Sequence, residues 1–337
     1  MTARLRVAVL AGGRSSEHEI SLASARSVVE SLDPGRYETQ MIEIGRDGAW
    51  ALPPAPGQAA LPGAGGTLPI PTAASPSALG AIDVAFPVLH GPFGEDGTVQ
   101  GLLELAGLPY VGSGVTASAL CMDKDLFKAV LRDGGIPVAR SVTLRPGDAN
   151  ENPFGYPVFV KPARLGSSVG ISKAQSAAEL DAAVTLAFLH DDKVLVEEFQ
   201  PGVEVEVGVL GNREPVASVV GEIVANADWY DFDAKYADGG MELIVPARIP
   251  AETTERVQQL AVAAFVATDC EGMARVDFFV RPDGEVVVNE LNTIPGFTAT
   301  SVYAKLFAES GIPYAELLDH LVRLALERHE SRKALAF

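Results

Sequence analysis

Cysteine appears only twice in the 337-residue chain, as Cys121 and Cys270. Two isolated thiols make neither a disulfide framework nor a metal-ligand cluster. They fit a reducing cytosol and read as apolar filler. Positive charge is also scarce, with 26 basic residues against 44 acidic ones and a net charge of −18. That balance argues against nucleic acid or an anionic membrane as the main partner, yet leaves room for a local basic pocket that takes a small phosphorylated ligand. No apolar stretch is long enough to span a bilayer. Arg4 and Arg6 before Val7-Ala8-Val9-Leu10 superficially suggest a signal peptide, but the run stops at Gly12-Gly13 and reads as a buried first strand. A cytoplasmic location is therefore expected. Neither the Walker pattern G-x-x-x-x-G-K-[ST] nor the dinucleotide fingerprint G-x-G-x-x-G occurs. No internal repeat is visible.

What is present is the make-up of a soluble globular protein, 47% hydrophobic and 21% charged, long enough for two or three domains. Strands at 5–11, 37–44 and 82–89 alternate with helices at 17–32 and 98–106. Ser16 is the expected N-cap of the first helix, with Glu19 completing a capping box. Such alternation predicts an α/β domain with a parallel sheet and ligand groups at the strand ends. Residues 51–80, crowded with Pro, Gly and Ala, read as an ordered excursion or a flexible loop rather than core. A second unit holds a helix at 123–133 ended by Gly134-Gly135, strands at 138–144, 157–161 and 194–199, and a helix at 177–189. A third holds strands near 203–210 and 215–224, a polar loop at 225–241, a helix at 252–268, a hairpin, and a last amphipathic helix at 314–328.

The hairpin is the most informative stretch. Two apolar, β-branched runs flank Pro282-Asp283-Gly284. With a two-residue turn at Asp283-Gly284, Pro282 faces Glu285, Asp277 faces Glu290 and Arg275 faces Asn292. Period-two alternation then puts all four polar groups on one face. Two directly opposed carboxylates cost a few tenths to about 1 kcal/mol in an ordinary sheet. A divalent cation reverses that sign, and hard oxygen donors suit Mg²⁺. A solvated hairpin face is the plain alternative, and a one-residue register slip would break the pairing.

Several loops carry candidate chemistry. Residues 161–170, Lys161-Pro162-Ala163-Arg164-Leu165-Gly166-Ser167-Ser168-Val169-Gly170, can turn backbone amides toward phosphate, with Lys161 adding a point charge; a simple Gly/Ser turn fits equally well. Glu17, after Gly12-Gly13, suits a helix dipole without any function. His90 ends a strand in a glycine-flanked loop, where packing is the commoner role. The run at 229–236, Trp229-Tyr230-Asp231-Phe232-Asp233-Ala234-Lys235-Tyr236, is either an aromatic cluster or a lid that brings Lys235 to a phosphate. Glu197, Glu198 and Glu204 are solvated strand-edge acids or hold an adenosine amine and ribose hydroxyl.

Taken together, seven ordered segments resemble the D-alanine–D-alanine ligases of the ATP-grasp superfamily: AGGRSSEHEIS (11–21), LHGPFGEDGTVQG (89–101), PYVGSGVTASALCMDK (109–124), VKPARLGSSVGISK (160–173), YDFDAKY (230–236), ARVDFF (274–279) and NELNTIPGFTATS (289–301). The excursion at 51–80 is the least family-like part. The resemblance implies a three-domain α/β ATP-grasp architecture: a Rossmann-like N-terminal domain (1–112), a central ATP-grasp subdomain (113–197) and a C-terminal one (198–337). It implies ATP bound by Lys124, Lys161 and Ser168, with Glu197 and Glu204 at adenine and ribose and the backbone around Glu198 and Phe199 at the adenine edge. Two Mg²⁺ ions, replaceable by Mn²⁺, would sit on Asp277, Glu290 and Asn292. Glu17 would hold the first D-alanine's ammonium beside His90. Ser167 and Tyr236 would join Glu17 in a triad, and Lys235 would clamp the transferred phosphate. Arg275 and the Gly296 amide would form the oxyanion site, with Ser301 and the Val302 backbone at the second D-alanine's carboxylate. A homodimer is also implied.

Three other functions compete. A D-alanine–D-lactate or D-serine ligase shares the scaffold, but the Lys235-Tyr236 pair favours the dipeptide, since depsipeptide-forming relatives typically lack it. A nicotinamide-dependent oxidoreductase and a non-catalytic nucleotide-binding module are disfavoured by the set Lys161, Arg275, Asp277, Glu290 and Asn292.

Overall fold

The computed structural model of the chain describes residues 4–51, 82–225 and 241–335. The proline-rich excursion, apart from Ala51, and the lid residues Lys235 and Tyr236 lie outside the described residues.

The first sheet has the order β3-β2-β1-β4, built from β1 (Leu5–Gly12), β2 (Tyr37–Ile44), β3 (Trp50–Ala51) and β4 (Val84–Pro87). β1 runs parallel to both β2 and β4. Its apolar run is continuous because it is buried on both faces. Val7 and Val9 enter the core under α1 (His18–Ser31), while Ala8 and Leu10 enter another with Trp50 and with Leu103 of α2 (Thr98–Leu105). The predicted Ser16/Glu19 capping box does not form. Glu17 itself is the N-cap, with no side-chain cap bond. The turn is held by Ser15 Oγ, which accepts the Glu17 N–H at 3.2 Å. Ser21 then ties the layer together: its hydroxyl accepts from Gly12 N–H at 2.8 Å and donates to Val88 O at 2.5 Å.

The central sheet is antiparallel, order β5-β8-β6-β7, from β5 (Ser141–Leu144), β6 (Val158–Pro162), β7 (Ser172–Ala174) and β8 (Val194–Glu198). α5 (Ala177–Ala187) covers it, with Ser176 Oγ capping the Glu179 amide at 3.3 Å. The strand predicted at 138–144 begins only at Ser141, because Val138 instead bridges to Val288 in the third sheet.

The third sheet, order β11-β10-β9-β12-β13, contains β9 (Val203–Gly211), β10 (Val216–Ala225), β11 (Met241–Ile244), β12 (Gly272–Val280) and β13 (Val286–Asn292). α6 (Ala251–Ala267) packs on it. So do α3 (Val115–Met122) and α4 (Lys124–Asp133), through Ala117, Cys121, Phe127 and Leu131. α8 (Tyr314–Lys333) returns to the first sheet's core through Leu317, Leu321 and Val322. Helices therefore cross between layers, which rigidly couples the sheets. α3 and α7 (Val302–Glu309) were not predicted. α3 carries no charged residue to mark a polar face, and α7 starts immediately behind a loop. Tyr303 and Phe307 of α7 lie directly over Gly208, where a Cβ would come within 2.6 Å of Phe307 Cε2.

The hairpin pairs Asp277 with Glu290 and Arg275 with Asn292, as expected. The turn is different. Arg281 N–H bonds Glu285 O at 2.8 Å and Gly284 N–H bonds Arg281 O at 2.9 Å, so the loop is Pro282-Asp283-Gly284 with Gly284 left-handed at φ 86°. A three-residue loop shifts the register by one. A bulge at Asn289, between the Asp277 and Phe278 pairs, shifts it back.

Candidate active site

Two adjoining clefts lie between the central and third sheets and the first-sheet loops, sharing Gly166, Ser167, Glu204 and Glu290. One, about 110 Å³, is lined by Lys124, Phe159, Lys161, Ser168, Glu197, Glu198, Gln200, Phe279 and Asn289. The other, about 240 Å³, is lined by Glu17, His90, Glu95, Glu206, Arg275, Asp277, Asn292, Gly296, Ser301 and Val302. A larger, mainly apolar cavity of about 1020 Å³ opens at Trp50, Phe93 and Leu105. Its lining includes Asp47 but no lysine or glutamate, and it meets the second cleft only at His90, so the chemistry belongs to the smaller clefts.

In the first cleft, Lys161 sits at the end of β6 and donates to Glu197 Oε1 at 2.6 Å and to Asn289 Oδ1 at 3.3 Å. Lys128, on α4 one turn after Lys124, meets Glu197 Oε2 at 2.7 Å. Glu197 is only 2% exposed. Burial works against its charge, but the two lysines overcome that and hold its carboxyl down at about 2. Both of its oxygens meet lysines, so Glu197 holds the cationic wall in place while lining the cleft. Lys161 stays charged for the same reason, its pKa raised by Glu197 against the pull of burial. Lys124 donates to Leu165 O at 2.6 Å, its backbone N–H bonds Ala163 O at 2.9 Å, and its ammonium lies 3.6 Å from Glu290 Oε2. Lys124 thus pins the 163–168 loop, whose Ser167 and Ser168 adopt left-handed φ of 53° and 60°. Such curled backbone suits an anion. Glu198 lines the cleft, but its carboxylate holds Arg140 at 2.9 and 2.6 Å and its N–H bonds Arg140 O. Phe199 is not in the wall. Its ring packs 6.1 Å from that of Phe159, which does line the cleft.

In the second cleft, Arg275 grips Asp277 through two bonds of 2.7 Å and reaches Glu206 Oε2 at 3.0 Å. Burial disfavours the guanidinium charge, and these carboxylates more than offset that. Asn292 donates to Asp277 Oδ2 at 3.1 Å. Asp277, Glu290 and Asn292 all line this cleft, Asp277 directly opposite Glu290 across the hairpin, while the bulge residue Asn289 lines the first. The three, as hard oxygen donors, fit Mg²⁺. Ser301 is the N-cap of α7, its hydroxyl accepting Thr298 N–H at 3.0 Å, and Gly296 lies against it. A helix N-terminus here suits a carboxylate. His90 is buried, and that burial lowers its pKa, keeping it neutral. Its Nδ1 donates to Ile294 O at 3.0 Å and its Nε2 lies 3.5 Å from Ser24 Oγ. Glu17 is buried, with its Oε2 close to both Gly91 and Gly166, so the first and central sheet loops meet at this carboxylate. Lys128, Asn289, Glu95 and Glu206 were missed from sequence; for the first two, i+4 spacing from Lys124 and adjacency to Glu290 were the available signals.

Comparison with known proteins agrees with this geometry. The family model for the D-ala D-ala ligase N-terminus matches residues 6–113, and that for the C-terminus matches 130–323. The D-alanine–D-alanine ligase of Deinococcus radiodurans is 52% identical, with 96% of this chain and 98% of that protein aligned. Among solved structures, the D-alanine–D-alanine ligase of Coxiella burnetii superposes with a TM-score of 0.85 at 40% identity, over 98% of this chain and 96% of that one. The VanG D-Ala:D-Ser ligase of Enterococcus faecalis gives 0.84 at 38%, over 96% and 100%. The Bacillus anthracis D-alanine–D-alanine ligase complexed with ATP gives 0.77 at 28%, over 97% and 99%. The chain belongs to the D-alanine–D-alanine ligase family.

Proposed function

We propose that the protein joins two D-alanines at the expense of ATP, through a D-alanyl phosphate, to supply D-alanyl-D-alanine for peptidoglycan precursors. The observation that carries this is the union of two chemistries in adjoining clefts: a lysine wall suited to phosphates, and an arginine with a helix N-terminus suited to an acyl centre and a carboxylate.

Lys161, Lys124 and Ser168 face the nucleotide phosphates, with Glu197 and Glu204 toward adenine and ribose and the Glu198–Phe199 backbone at the adenine edge. Asp277, Glu290 and Asn292 hold two Mg²⁺ ions (Mn²⁺ as a substitute), which when bound offset the repulsion between carboxylate and γ-phosphate. Glu17 orients the first D-alanine through its ammonium. Attack of that carboxylate on the γ-phosphorus gives D-alanyl phosphate and ADP. The second amine then attacks the acyl carbon. Arg275 and the Gly296 amide stabilise the oxyanion, and the C–O bond to phosphate breaks. Ser301 and the Val302 amide hold the second carboxylate. The same reading gives Lys235 the transferred phosphate and Tyr236 a shared role with Ser167 and Glu17, and it requires that water be kept from the acyl phosphate. We assign domains at 1–112, 113–197 and 198–337, a homodimeric state and a cytoplasmic setting to the same reading. No helix among the described residues is long and apolar enough to cross a membrane.

A coupled assay of ADP release tests this with D-alanine, L-alanine, D-serine and D-lactate in parallel. Release that requires D-alanine and Mg²⁺ and yields D-alanyl-D-alanine is expected. Preference for D-serine or D-lactate as the second substrate at neutral pH would overturn the dipeptide assignment.

A further inference from the structure

The strap that carries Gly296 and Ser301 follows β13, but the polar bonds at its start and middle run to first-sheet residues. Ile294 N–H donates to Glu95 Oε1 at 3.1 Å. On the other side of the same residue, Ile294 O accepts from His90 Nδ1 at 3.0 Å. Farther along, Phe297 N–H reaches Ser24 Oγ at 3.4 Å and Ala299 N–H reaches Ser27 Oγ at 3.1 Å, both on α1. Glu95 is itself anchored, its Oε2 accepting Gly91 N–H at 2.6 Å. The loop that begins with His90 thus grips one residue of the strap by both its donor and its acceptor.

We propose that Glu95 and His90 are positioning residues that clamp Ile294 and so set the Gly296 amide and Ser301 at the acyl centre. The clamp joins the wall of the first-substrate site to the second-substrate strap, two parts of the chain 199 residues apart. This rests on the proposed ligation. Its consequence is selective. Formation of the acyl phosphate uses the lysine wall, the metal donors and the first-substrate wall, which the clamp borders at His90; Glu95→Gln leaves His90 in place. Capture by the second amine uses the strap, which the clamp sets. With the strap displaced, water attacks the acyl carbon instead, the C–O bond to phosphate breaks, and D-alanine and phosphate return, so ATP is consumed without dipeptide.

Glu95→Gln tests this, because its amide nitrogen cannot accept from one of the two backbone donors that the Glu95 side-chain oxygens satisfy. The expected result is a 10- to 100-fold fall in dipeptide formation, the scale for a catalytic group displaced by about 1 Å. ADP released per dipeptide should rise well above one, while the KM for ATP changes less than about threefold. Ser24→Ala, which loosens the same strap with a milder change, should shift the ratio in the same direction. Hydrogen exchange at the Ile294 and Phe297 amides should accelerate in both variants with no substrate present. A ratio that stays at one in Glu95→Gln, or unaltered exchange at Ile294, would overturn the clamp. Failure of the wild-type protein to release ADP with D-alanine would overturn the ligase reading instead, while the exchange result would still decide the clamp.

Discussion

Replacing Glu197 by glutamine isolates the electrostatics of the nucleotide cleft. In the native protein one carboxylate serves two lysines, at 2.7 Å to Lys128 and 2.6 Å to Lys161, in a buried setting. Its pKa falls from the ordinary 4.5 to about 2. A shift of that size corresponds to roughly 3 kcal/mol of folding free energy. The glutamine leaves two like charges facing each other, and breaking a buried pair in this way typically costs about 3–5 kcal/mol. Lys128 limits the loss by releasing its proton, since burial already lowers its pKa. We therefore expect a loss of about 2–4 kcal/mol in urea unfolding at pH 7, followed by circular dichroism. The pH dependence fixes the cause. A depressed carboxyl stabilises the fold above its unfolded pKa, and that contribution disappears as pH falls from about 4.5 toward 2. The gap between wild type and Glu197→Gln should be full at pH 7 and close as pH drops through that window. A gap under about 0.5 kcal/mol, or one unchanged down to pH 3, would refute the shared-carboxylate picture.

Further outcomes follow from the same geometry. Glu290→Gln should reduce turnover at least about 100-fold with an unchanged melting temperature, since it removes a proposed metal donor and not a core contact; wild-type turnover would remove the hairpin from the metal site. Arg275→Lys, which forfeits the paired 2.7 Å bonds to Asp277, should lower kcat about 10- to 100-fold in steady-state assays, and a change in KM alone would contradict its place at the oxyanion. Gly208→Ala should destabilise the fold by about 1–3 kcal/mol, because its Cβ would lie 2.6 Å from Phe307 and 3.1 Å from Tyr303; an unshifted thermal melt would show that α7 moves freely. Cys121 and Cys270, buried with sulfurs 3.8 Å apart, should resist a thiol reagent in the native state and both react in denaturant.

Local pattern carries a great deal of this protein. The period-two alternation on β12 and β13 leads straight to the facing Asp277 and Glu290. Yet the turn assumed for that pairing is wrong, and the pairing survives because a bulge at Asn289 cancels the longer loop. The bulge is invisible to counting, and so was the placement of Asn289 beside Lys161. Ser16 carries a capping signature, but Glu17 takes the cap position and its side chain enters the cleft, a tertiary demand that local propensity does not register. The small, uncharged α3 is hidden for a related reason, since its stability comes from burial against α4 and β13 rather than from an amphipathic face. Glu197 was legible as a site acid, but its pairing with Lys128, 69 positions earlier in sequence, was not. Glu95 has its second backbone donor 199 residues away. Its burial beside Glu17 pushes its pKa up to about 8, a perturbation with no trace in its neighbours along the chain.

The central claim is an acyl phosphate formed from D-alanine and consumed by a second D-alanine. D-Alanine labelled with ¹⁸O in its carboxylate, supplied with ATP and Mg²⁺, tests it most directly. The proposed route breaks the acyl C–O bond after that oxygen has joined phosphorus, so each inorganic phosphate released with D-alanyl-D-alanine should carry one ¹⁸O by mass spectrometry. Phosphate free of the label, with dipeptide still formed, would contradict the mechanism.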